Sequence, residues 1–296
     1  MYKMLVLDMD GTLLNESQQI SKQNKKAIVE ILDKGIKVVL ATGRPYSGVV
    51  PFCKELGIYE VGCYSITCSG ALVVENVTKN VLYEEHILQE DLTKIHNLCE
   101  EFDIDMSGYT KDMILIHHEN LFSRYDALAN FTDLKIVDFC HLEDEQRVYK
   151  LNIINESLDV RRRMIDYFPT IKLDNYEMRH KEKFNNSLFD ELWRFPQEIF
   201  DHYTIVRPLP FCIELLGKNS NKAVGVRKVA EKLGIEMSEI ICIGDSGNDV
   251  HMIEEVGLGV AMANASQEAK NVADEITLSN EENGVAVIID KYFLDK

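Results

Sequence analysis

The sequence is poor in several features that would define other classes of protein. Basic residues are scarce, since 32 Lys and Arg stand against 49 Asp and Glu and give a formal net charge of −17. This balance argues against broad binding to nucleic acid or to an anionic membrane surface. An anionic substrate must then be attracted by a local positive site, built from a metal ion, a few Lys or Arg side chains and backbone amides.

Long apolar runs are also missing. No stretch is long enough to span a bilayer, and Asp8 and Asp10 interrupt the segment where a secretory signal would need unbroken apolar residues. The seven cysteines are an odd number, are scattered and include no C-x-x-C pair, so we expect reduced structural thiols. We therefore predict a cytoplasmic protein.

The sequence shows two different hydrophobic patterns, one near both ends and one in the middle. Near both ends, apolar strands such as YKMLVLD, IKVVLAT and EIICIGD alternate with helices, a pattern typical of a parallel sheet covered on both faces. Ser21 and Asn264 are the predicted N-caps of two of these helices. The middle has shorter, partly alternating segments, which predict an α+β unit with an antiparallel sheet. We predict an α/β fold with a Rossmann-like parallel-sheet core at 1–83 and 214–296 and an inserted α+β domain at 84–213.

Acidic residues follow two of the predicted core strands. Asp8 and Asp10 come directly after the first strand, where a spacing of two residues would point both carboxylates the same way. Asp245, Asn248 and Asp249 follow EIICIGD. Because parallel strands end at one edge of a sheet, four carboxylates could gather there, and Mg²⁺ would relieve their repulsion. The alternative is capping of turns and helices, which for Asp245 and Asp249 explains only one of the two.

A third junction carries a hydroxyl and a glycine. Thr42, Gly43 and Arg44 follow the strand IKVVLA. A hydroxyl and the free amides at a helix N-terminus suit a phosphate oxygen, and glycine permits close approach of the backbone. Arg44 could contact a substrate or form a surface or interface salt bridge, and the residues alone leave both open.

The motifs DMDGTLL, LATGRP, CSGA, NSNKAVG and GDSGNDVHM, in this order, resemble those of the haloacid dehalogenase (HAD) superfamily. More narrowly, they resemble the Cof-type hydrolases of subfamily IIB, which insert a large α+β cap between the second and third motifs. The likeness covers the core segments, and the insertion matches the cap by position and texture. The resemblance implies a Mg²⁺-dependent phosphatase that hydrolyses small phosphorylated metabolites, such as sugar phosphates or phosphorylated cofactors, through an aspartyl-phosphate intermediate, with the cap selecting the substrate.

The resemblance also implies roles for single residues. Asp8 would be the nucleophile, Asp10 the general acid and base, and Lys222, with Lys218 as the competing lysine, would neutralise charge. The implied metal ligands are Asp8, Asp10 through its backbone carbonyl, Asp245, and Asp249 directly or through water. The implied phosphate-binding residues are Met9, Thr42, Gly43, Lys222 and Asn248. The implied substrate-side residues are Arg44, Ser69 and Gly70.

Two positions depart from the family pattern. Ser69 stands where the family usually has Asn, which puts substrate-side contacts in doubt more than the phosphoryl chemistry. Ala223 stands where Gly is usual, and we attribute it to helix packing.

Two other functions remain open from the sequence. One is a phosphotransferase or mutase that uses the same aspartyl-phosphate, and the other is a non-catalytic protein that binds a phosphorylated metabolite. The expected partner is a small phosphorylated metabolite rather than nucleic acid or a membrane, and the expected assembly is a monomer or homodimer.

Within the insertion, two groups of residues invite a functional interpretation. Neighbouring positions on a strand face opposite ways, so we expect His117, His118 and Glu119 to form a surface or half-buried edge rather than a metal site. An aromatic group could stack on a substrate ring, although packing is the default interpretation. Its members are Phe184, Phe189, Trp193 and Phe195.

Overall fold

A computed structural model describes residues 1–102, 104–143, 146–154, 197–209 and 212–294. The chain divides into two compact units, which we call the core unit (Met1–Glu84 with Ser220–Lys296) and the inserted unit (Glu85–Asn219). The junctions lie after residues 84 and 219, whereas the sequence analysis put them after 83 and 213. The second differs because the last strand of the inserted unit continues to Gly217.

The strands of the inserted unit interrupt those of the core unit once along the chain. The core unit begins with β1 (Met4–Leu7), β2 (Lys37–Ala41), β3 (Tyr64–Thr67), β4 (Leu72–Glu75) and β5 (Val81–Glu84). The inserted unit contains β6 (Asp105–Tyr109), β7 (Met113–Ile116), β8 (Asp133–Ile136), β9 (Lys150–Ile154), β10 (Tyr203–Leu209) and β11 (Cys212–Gly217). The core unit ends with β12 (Ile240–Gly244), β13 (Leu258–Ala261) and β14 (Glu275–Ile276).

Helices connect most of these strands. The described helices are α1 (Lys22–Asp33), α2 (Tyr46–Leu56), α3 (Gln89–Glu101), α4 (Leu121–Ala129), α5 (Gln197–His202), α6 (Lys222–Leu233), α7 (Val250–Glu254), α8 (Gln267–Val272) and α9 (Gly284–Ile289). Short 3₁₀ turns occur at Cys68–Gly70, Met237–Glu239 and Gly247–Asp249. Within the described ranges, none of the helices has both the length and the apolar character needed to cross a membrane.

The core sheet has the order β14-β13-β12-β1-β2-β3-β4-β5. Pairing is parallel from β14 to β3 and antiparallel at β4 and β5. Successive residues of β1 alternate between two apolar clusters, since Leu5 and Leu7 pack with α1 whereas Met4 and Val6 pack with α6. Helices on both faces explain why the core strands show no polar alternation, and the predicted parallel-sheet α/β fold is confirmed.

One predicted helix cap is confirmed and the other is wrong. The Ser21 hydroxyl accepts a hydrogen bond from the Asn24 amide at 3.1 Å and caps α1. Helix α8 is capped by Ser266, whose hydroxyl accepts from an amide three residues further on. Asn264 lies outside the helix because its side-chain amide donates to the Gly11 carbonyl at 2.8 Å.

The inserted unit has its own sheet and its own apolar cluster. The strand order is β10-β11-β9-β6-β7-β8, and all pairs are antiparallel except β7 with β8. Its core includes Phe139, Leu151 and Ile153, all fully buried. None of the seven cysteines, all of them among the described residues, forms a disulfide bond. The aromatic group predicted at 184–195 lies outside the described residues.

Candidate active site

The site is built on the neighbouring ends of β1 and β12. The two strands are paired in parallel, with Leu7 opposite Ile243, and the Asp8 amide continues the ladder by donating to the Ile243 carbonyl at 3.0 Å. Both strands therefore end at the same level, as the sequence predicted from their apolar runs. The residues that follow them are Asp8 on one side and the loop from Asp245 on the other.

Three of the predicted carboxylates meet at this edge. One oxygen from each of Asp8, Asp245 and Asp249 lies within 4.8 Å of the others. Asp8 and Asp249 are buried, and Asp245 is partly exposed. Like charges at this separation repel strongly in an apolar setting, so the group requires positive charge.

Lys222 supplies one part of that charge. It is the first residue of α6, and its fully buried Nζ lies 2.5 Å from Asp8 Oδ1 and 2.6 Å from Asp249 Oδ1. Burial by itself would lower the pKa of Lys222, but the Asp249 and Asp8 carboxylates outweigh burial and raise it. The lysine is therefore charged in the folded protein. The competing lysine, Lys218, instead donates to the Phe200 carbonyl in the inserted unit at 2.8 Å.

Asp249 uses both of its oxygens within the protein. Oδ2 accepts the backbone amides of Asp245 at 3.0 Å and of Ser246 at 2.9 Å, which closes the short 3₁₀ turn. Oδ1 accepts from Lys222. The Asp249 side chain therefore closes the 3₁₀ turn and makes no capping hydrogen bond to α7, so the helix-capping alternative is wrong, and the same carboxylate also orients the lysine.

Asp245 is held from the opposite side by the first loop. Thr12 donates its hydroxyl to Asp245 Oδ1 at 3.0 Å. Gly11 has φ +82°, and a Cβ at this position would lie 2.6 Å from Asp245 Oδ2. Only glycine accepts both this backbone conformation and this close approach. Thr12 was not among the predicted site residues, although its position in the DMDGT motif is the signal that could have found it.

Asp10 lies outside the three-carboxylate group. The chain turns after Asp8, with the Thr12 amide donating to the Met9 carbonyl, so the two-residue periodicity of a strand no longer applies. Arg44 binds the Asp10 carboxylate with two hydrogen bonds, from Nε to Oδ2 at 2.8 Å and from Nη2 to Oδ1 at 2.6 Å, and also contacts Gln18. Arg44 is buried, and it forms a salt bridge with Asp10, which is one of the two alternatives that the sequence left open.

The loop after β2 lies beside this pair. Thr42 is buried, and its hydroxyl accepts the Arg44 amide at 3.2 Å, which leaves the hydroxyl proton able to donate. The Thr42 carbonyl accepts a hydrogen bond from the Ser69 amide at 3.0 Å, which joins the loop after β2 to the loop after β3. Gly43 is partly exposed, and Met9 is fully buried.

Three successive residues have left-handed backbone conformations, with φ +49° at Cys68, +56° at Ser69 and +95° at Gly70. A Cβ on Gly70 would lie 2.0 Å from the Asn221 carbonyl oxygen and 2.8 Å from the Lys222 amide. Gly70 thus lets this loop contact the backbone where α6 begins. Asn tolerates the left-handed region better than Ser, so Ser69 adopts this conformation at a higher backbone cost than Asn would.

Two remaining residues have simple surroundings. Asn248 is exposed, and its Oδ1 accepts the Ser246 hydroxyl at 2.9 Å. Ala223 is fully buried and packs in the apolar cluster beneath α6, in agreement with the packing interpretation. The phosphate-binding role of Asn248 stays a prediction.

The carboxylates have shifted acidities. Burial, reinforced by Asp249, raises the pKa of Asp8 well above its ordinary value despite Lys222, and raises the pKa of Asp245 to about 6. Asp10 behaves oppositely, because the hydrogen bonds and charge of Arg44 outweigh burial and lower its pKa. The edge of the sheet therefore favours added positive charge next to Asp8 and Asp245.

The residues present fit a hard divalent cation. The donors are all carboxylate oxygens, the kind that Mg²⁺ prefers. Asp8 Oδ2 is buried and has no hydrogen-bond partner among the described residues, so one oxygen is available to a ligand. Asp8 and Asp245 are the side chains best placed to bind it, because both oxygens of Asp249 are already occupied.

Comparison with known proteins defines the class. A family model for haloacid dehalogenase-like hydrolases matches residues 5–289, and the chain belongs to this family. The resemblance of the motifs is thereby confirmed, and structures of the same fold include a phosphatase of HAD subclass IIB. The activity class is phosphoric monoester hydrolase.

Several relatives are similar to this protein along nearly its whole length. The putative phosphatase YxeH of Bacillus subtilis is 35% identical over 296 residues, 100% of both chains. A 5-amino-6-(5-phospho-D-ribitylamino)uracil phosphatase of the same organism, YcsE, is 32% identical over 299 residues, 99% of this chain and 96% of that protein. A solved haloacid dehalogenase-like hydrolase from Bacteroides thetaiotaomicron has a TM-score of 0.80 at 28% identity, covering 99% of this chain and 100% of that one.

Proposed function

We propose that this protein is a Mg²⁺-dependent phosphatase that hydrolyses small phosphorylated metabolites through a phosphorylated Asp8. The observation that carries the proposal is the surroundings of Asp8. This buried carboxylate has one oxygen on Lys222 and one without a partner among the described residues, next to Asp245. Such a carboxylate is held in one orientation and lies where positive charge can stabilise a phosphoryl group.

In the first step, an oxygen of Asp8 attacks phosphorus, and the bond from phosphorus to the ester oxygen breaks. Lys222 neutralises the phosphoryl oxygens, which the acidic protein as a whole would repel. The leaving oxygen takes a proton from Asp10. The products of this step are the free alcohol and an acyl phosphate on Asp8.

In the second step, Asp10 takes a proton from water as the water oxygen attacks phosphorus. The bond between phosphorus and Asp8 breaks, which releases inorganic phosphate and restores the carboxylate. A bound Mg²⁺ supplies the charge that screens Asp8 from the phosphoryl oxygens. The Thr42 hydroxyl and the amides of Met9 and Gly43 are proposed to hold those oxygens.

Arg44 bears on the dual role of Asp10. The two hydrogen bonds from Arg44 stabilise the ionised carboxylate, which is the form needed to accept a proton from water. Donation of a proton in the first step requires Asp10 to be protonated. We therefore propose that Arg44 shifts away from Asp10, toward the substrate, when a phosphate ester binds.

The substrate is proposed to be a small molecule selected by the inserted unit acting as a cap, bound by a monomer or homodimer in the cytoplasm. YcsE acts on a phosphorylated ribitylaminouracil by its name, so a phosphorylated cofactor precursor joins sugar phosphates as a candidate. An assay of inorganic phosphate release over a metabolite panel, with and without Mg²⁺, tests substrate class and metal together. Transfer of phosphate to an acceptor would indicate a phosphotransferase or mutase instead.

Asp8→Asn tests the nucleophile. Asn keeps the shape of the side chain but cannot form the acyl phosphate, so turnover should fall to background while the fold persists. Asp33→Asn, at the exposed end of α1, is the matched control and should keep wild-type turnover. Turnover near the wild-type rate by a well-folded Asp8→Asn protein would exclude Asp8 as the nucleophile.

A further inference from the structure

A second cluster of ligating side chains lies in the inserted unit and contains only residues of that unit. His96 and Glu100 are one helical turn apart on α3, and His117 follows β7. One ligating atom from each of the three lies within 4.8 Å of the others. None of these residues belongs to the catalytic edge described above.

The centre of the cluster is an unsatisfied imidazole. His96 is 6% exposed, and its Nδ1 is buried with no hydrogen-bond partner among the described residues. A buried polar atom without a partner is costly, by about 1–3 kcal/mol, so it calls for an explanation. A core histidine with only a packing role would be expected to satisfy this nitrogen.

The neighbouring groups are arranged around that imidazole. The His117 ring lies 4.3 Å from the His96 ring, centroid to centroid. His117 Nδ1 is 3.4 Å from the Val137 carbonyl oxygen, and His117 Nε2 is 3.6 Å from Glu100 Oε1. The carbonyl orients Nδ1 as a donor and leaves Nε2 as the ligating atom, an arrangement common for metal-bound histidines.

We propose that His96, His117 and Glu100 form a binding site for a divalent transition-metal ion of the Zn²⁺ class. Two imidazoles and a carboxylate are borderline ligands that favour Zn²⁺ over Mg²⁺, in contrast to the all-oxygen group at Asp8. Burial and His117 lower the pKa of His96, which keeps its imidazole in the neutral form that coordinates metals.

A second group of side chains meets His96 from the chain beyond β8. One ligating atom from each of Asp138 and Cys140 lies within 4.8 Å of that of His96. Asp138 also accepts the Cys140 amide at 2.9 Å, which fixes this turn next to the histidine. The Asp138 carboxylate thus adds negative charge next to His96, in a group separate from the one that contains His117 and Glu100.

The consequence of occupancy would be structural. The ion would join helix α3 to the segment that follows β7, two elements that the sheet order alone does not tie together. It would also remove the cost of the unsatisfied His96 nitrogen. The sequence predicted that His117 lies at a surface or half-buried edge, and it is half-buried. Its proposed partners, however, are His96 and Glu100, 21 and 17 residues earlier in the chain, and not its neighbours His118 and Glu119.

The test is a titration of the full-length protein with Zn²⁺, and separately with Co²⁺, in saturating Mg²⁺ to fill the catalytic edge. We expect one Zn²⁺ bound per chain beyond the Mg²⁺ and intense visible bands of four-coordinate Co²⁺. Because even indirect partners of a metal site contribute about 10–100-fold in affinity, His117→Gln should weaken binding by at least about 100-fold. His86→Gln, a partly exposed histidine in the same unit, is the matched control and should bind as the wild type does.

A second readout separates loss of the site from loss of the fold. Zn²⁺ should raise the thermal midpoint of the wild type and of His86→Gln but not of His117→Gln, while phosphatase turnover in Mg²⁺ stays unchanged in all three. The proposal is overturned if the wild type binds no Zn²⁺ in Mg²⁺, or if His117→Gln binds it as tightly as the wild type while folded.

Discussion

Replacement of Lys222 by Met is the most informative single perturbation of this protein. Lys222 is fully buried, and its ammonium group contacts Asp8 at 2.5 Å and Asp249 at 2.6 Å. Met has a similar length and fills the same space, so the change removes charge without leaving a large cavity. Two buried carboxylates then lose their common cation.

The expected cost follows from that geometry. Removing one partner of a buried ion pair costs about 3–5 kcal/mol, because the other partner is left buried and uncompensated. The core unit has 161 residues, from 84 in Met1–Glu84 and 77 in Ser220–Lys296. For a unit of this size, each kcal/mol lowers the midpoint by about 2–4 °C, so the core unit should unfold roughly 6–20 °C lower.

Two assays check this prediction. Thermal unfolding in the absence of divalent metal reports the stability, and phosphate release in Mg²⁺ reports the activity, which should be lost. Lys218→Met is the matched control, because the ammonium group of this exposed lysine donates to a backbone carbonyl and not to a carboxylate among the described residues, and it should change neither. Adding Asp249→Asn to Lys222→Met should recover part of the stability and none of the activity.

The reasoning is refuted if Lys222→Met unfolds at the wild-type temperature, or if Lys218→Met lowers the midpoint as much as Lys222→Met does. An equal midpoint would mean that Asp8 and Asp249 take up protons or water at negligible cost. In that case, the buried carboxylates would not depend on the lysine for their stability.

The other predictions concern neighbouring contacts. Gly11→Ala places a Cβ 2.6 Å from Asp245 Oδ2, so Asp245 should be displaced and the Mg²⁺ concentration for half-maximal activity should rise by about tenfold or more. Arg44→Lys keeps the charge but loses the paired hydrogen bonds, so the pKa of Asp10 should rise. Because the first step needs protonated Asp10, the alkaline limb of the pH–rate profile should move to higher pH. Hydrogen bonds from Lys291 and Tyr292 outweigh burial and lower the pKa of Glu275. The free energy of folding gained from this ionised carboxylate is present above the unfolded pKa and is lost as the pH falls through the folded pKa. Glu275→Gln should therefore cost less than about 1 kcal/mol at neutral pH and nothing in acid, measured by urea unfolding.

Each of these has a control or a contrary outcome. Gly35→Ala meets the same backbone conformation, at φ +83°, but has no atom within 4 Å of its Cβ, so it should leave the Mg²⁺ requirement unchanged. Equal effects of Gly35→Ala and Gly11→Ala would show that backbone strain, and not Asp245, is responsible. An unmoved alkaline limb in Arg44→Lys would mean that Asp10 does not govern it. A loss in Glu275→Gln that is the same at neutral and acidic pH would show that ionisation is not its source.

Periodicity and motif order were sufficient for much of the core. Unbroken apolar strands require cover on both faces, and this requirement alone predicted the parallel sheet that the structure contains. The motif order predicted the family, and the Ser21 cap followed from local chemistry. These features depend on residues close together in the chain, so they can be predicted from the sequence.

Local patterns failed where a side chain has two competing partners. Asn264 has the right chemistry for a helix cap, but its amide instead binds the Gly11 carbonyl, far away in the sequence. Asp10 has the right spacing to join Asp8, but a turn directs it to Arg44. In each case the deciding partner is brought close only by folding.

By itself, the sequence determined which residue types stand at the ends of which strands, because hydrophobic periodicity fixes the strands and the strands fix the edge of the sheet. Only the tertiary structure decided which groups meet: Lys222 rather than Lys218 at Asp8, Arg44 at Asp10, and His117 at His96. Contacts between groups distant in sequence depend on packing over the whole fold, and a pattern of neighbouring residues carries no information about those distances.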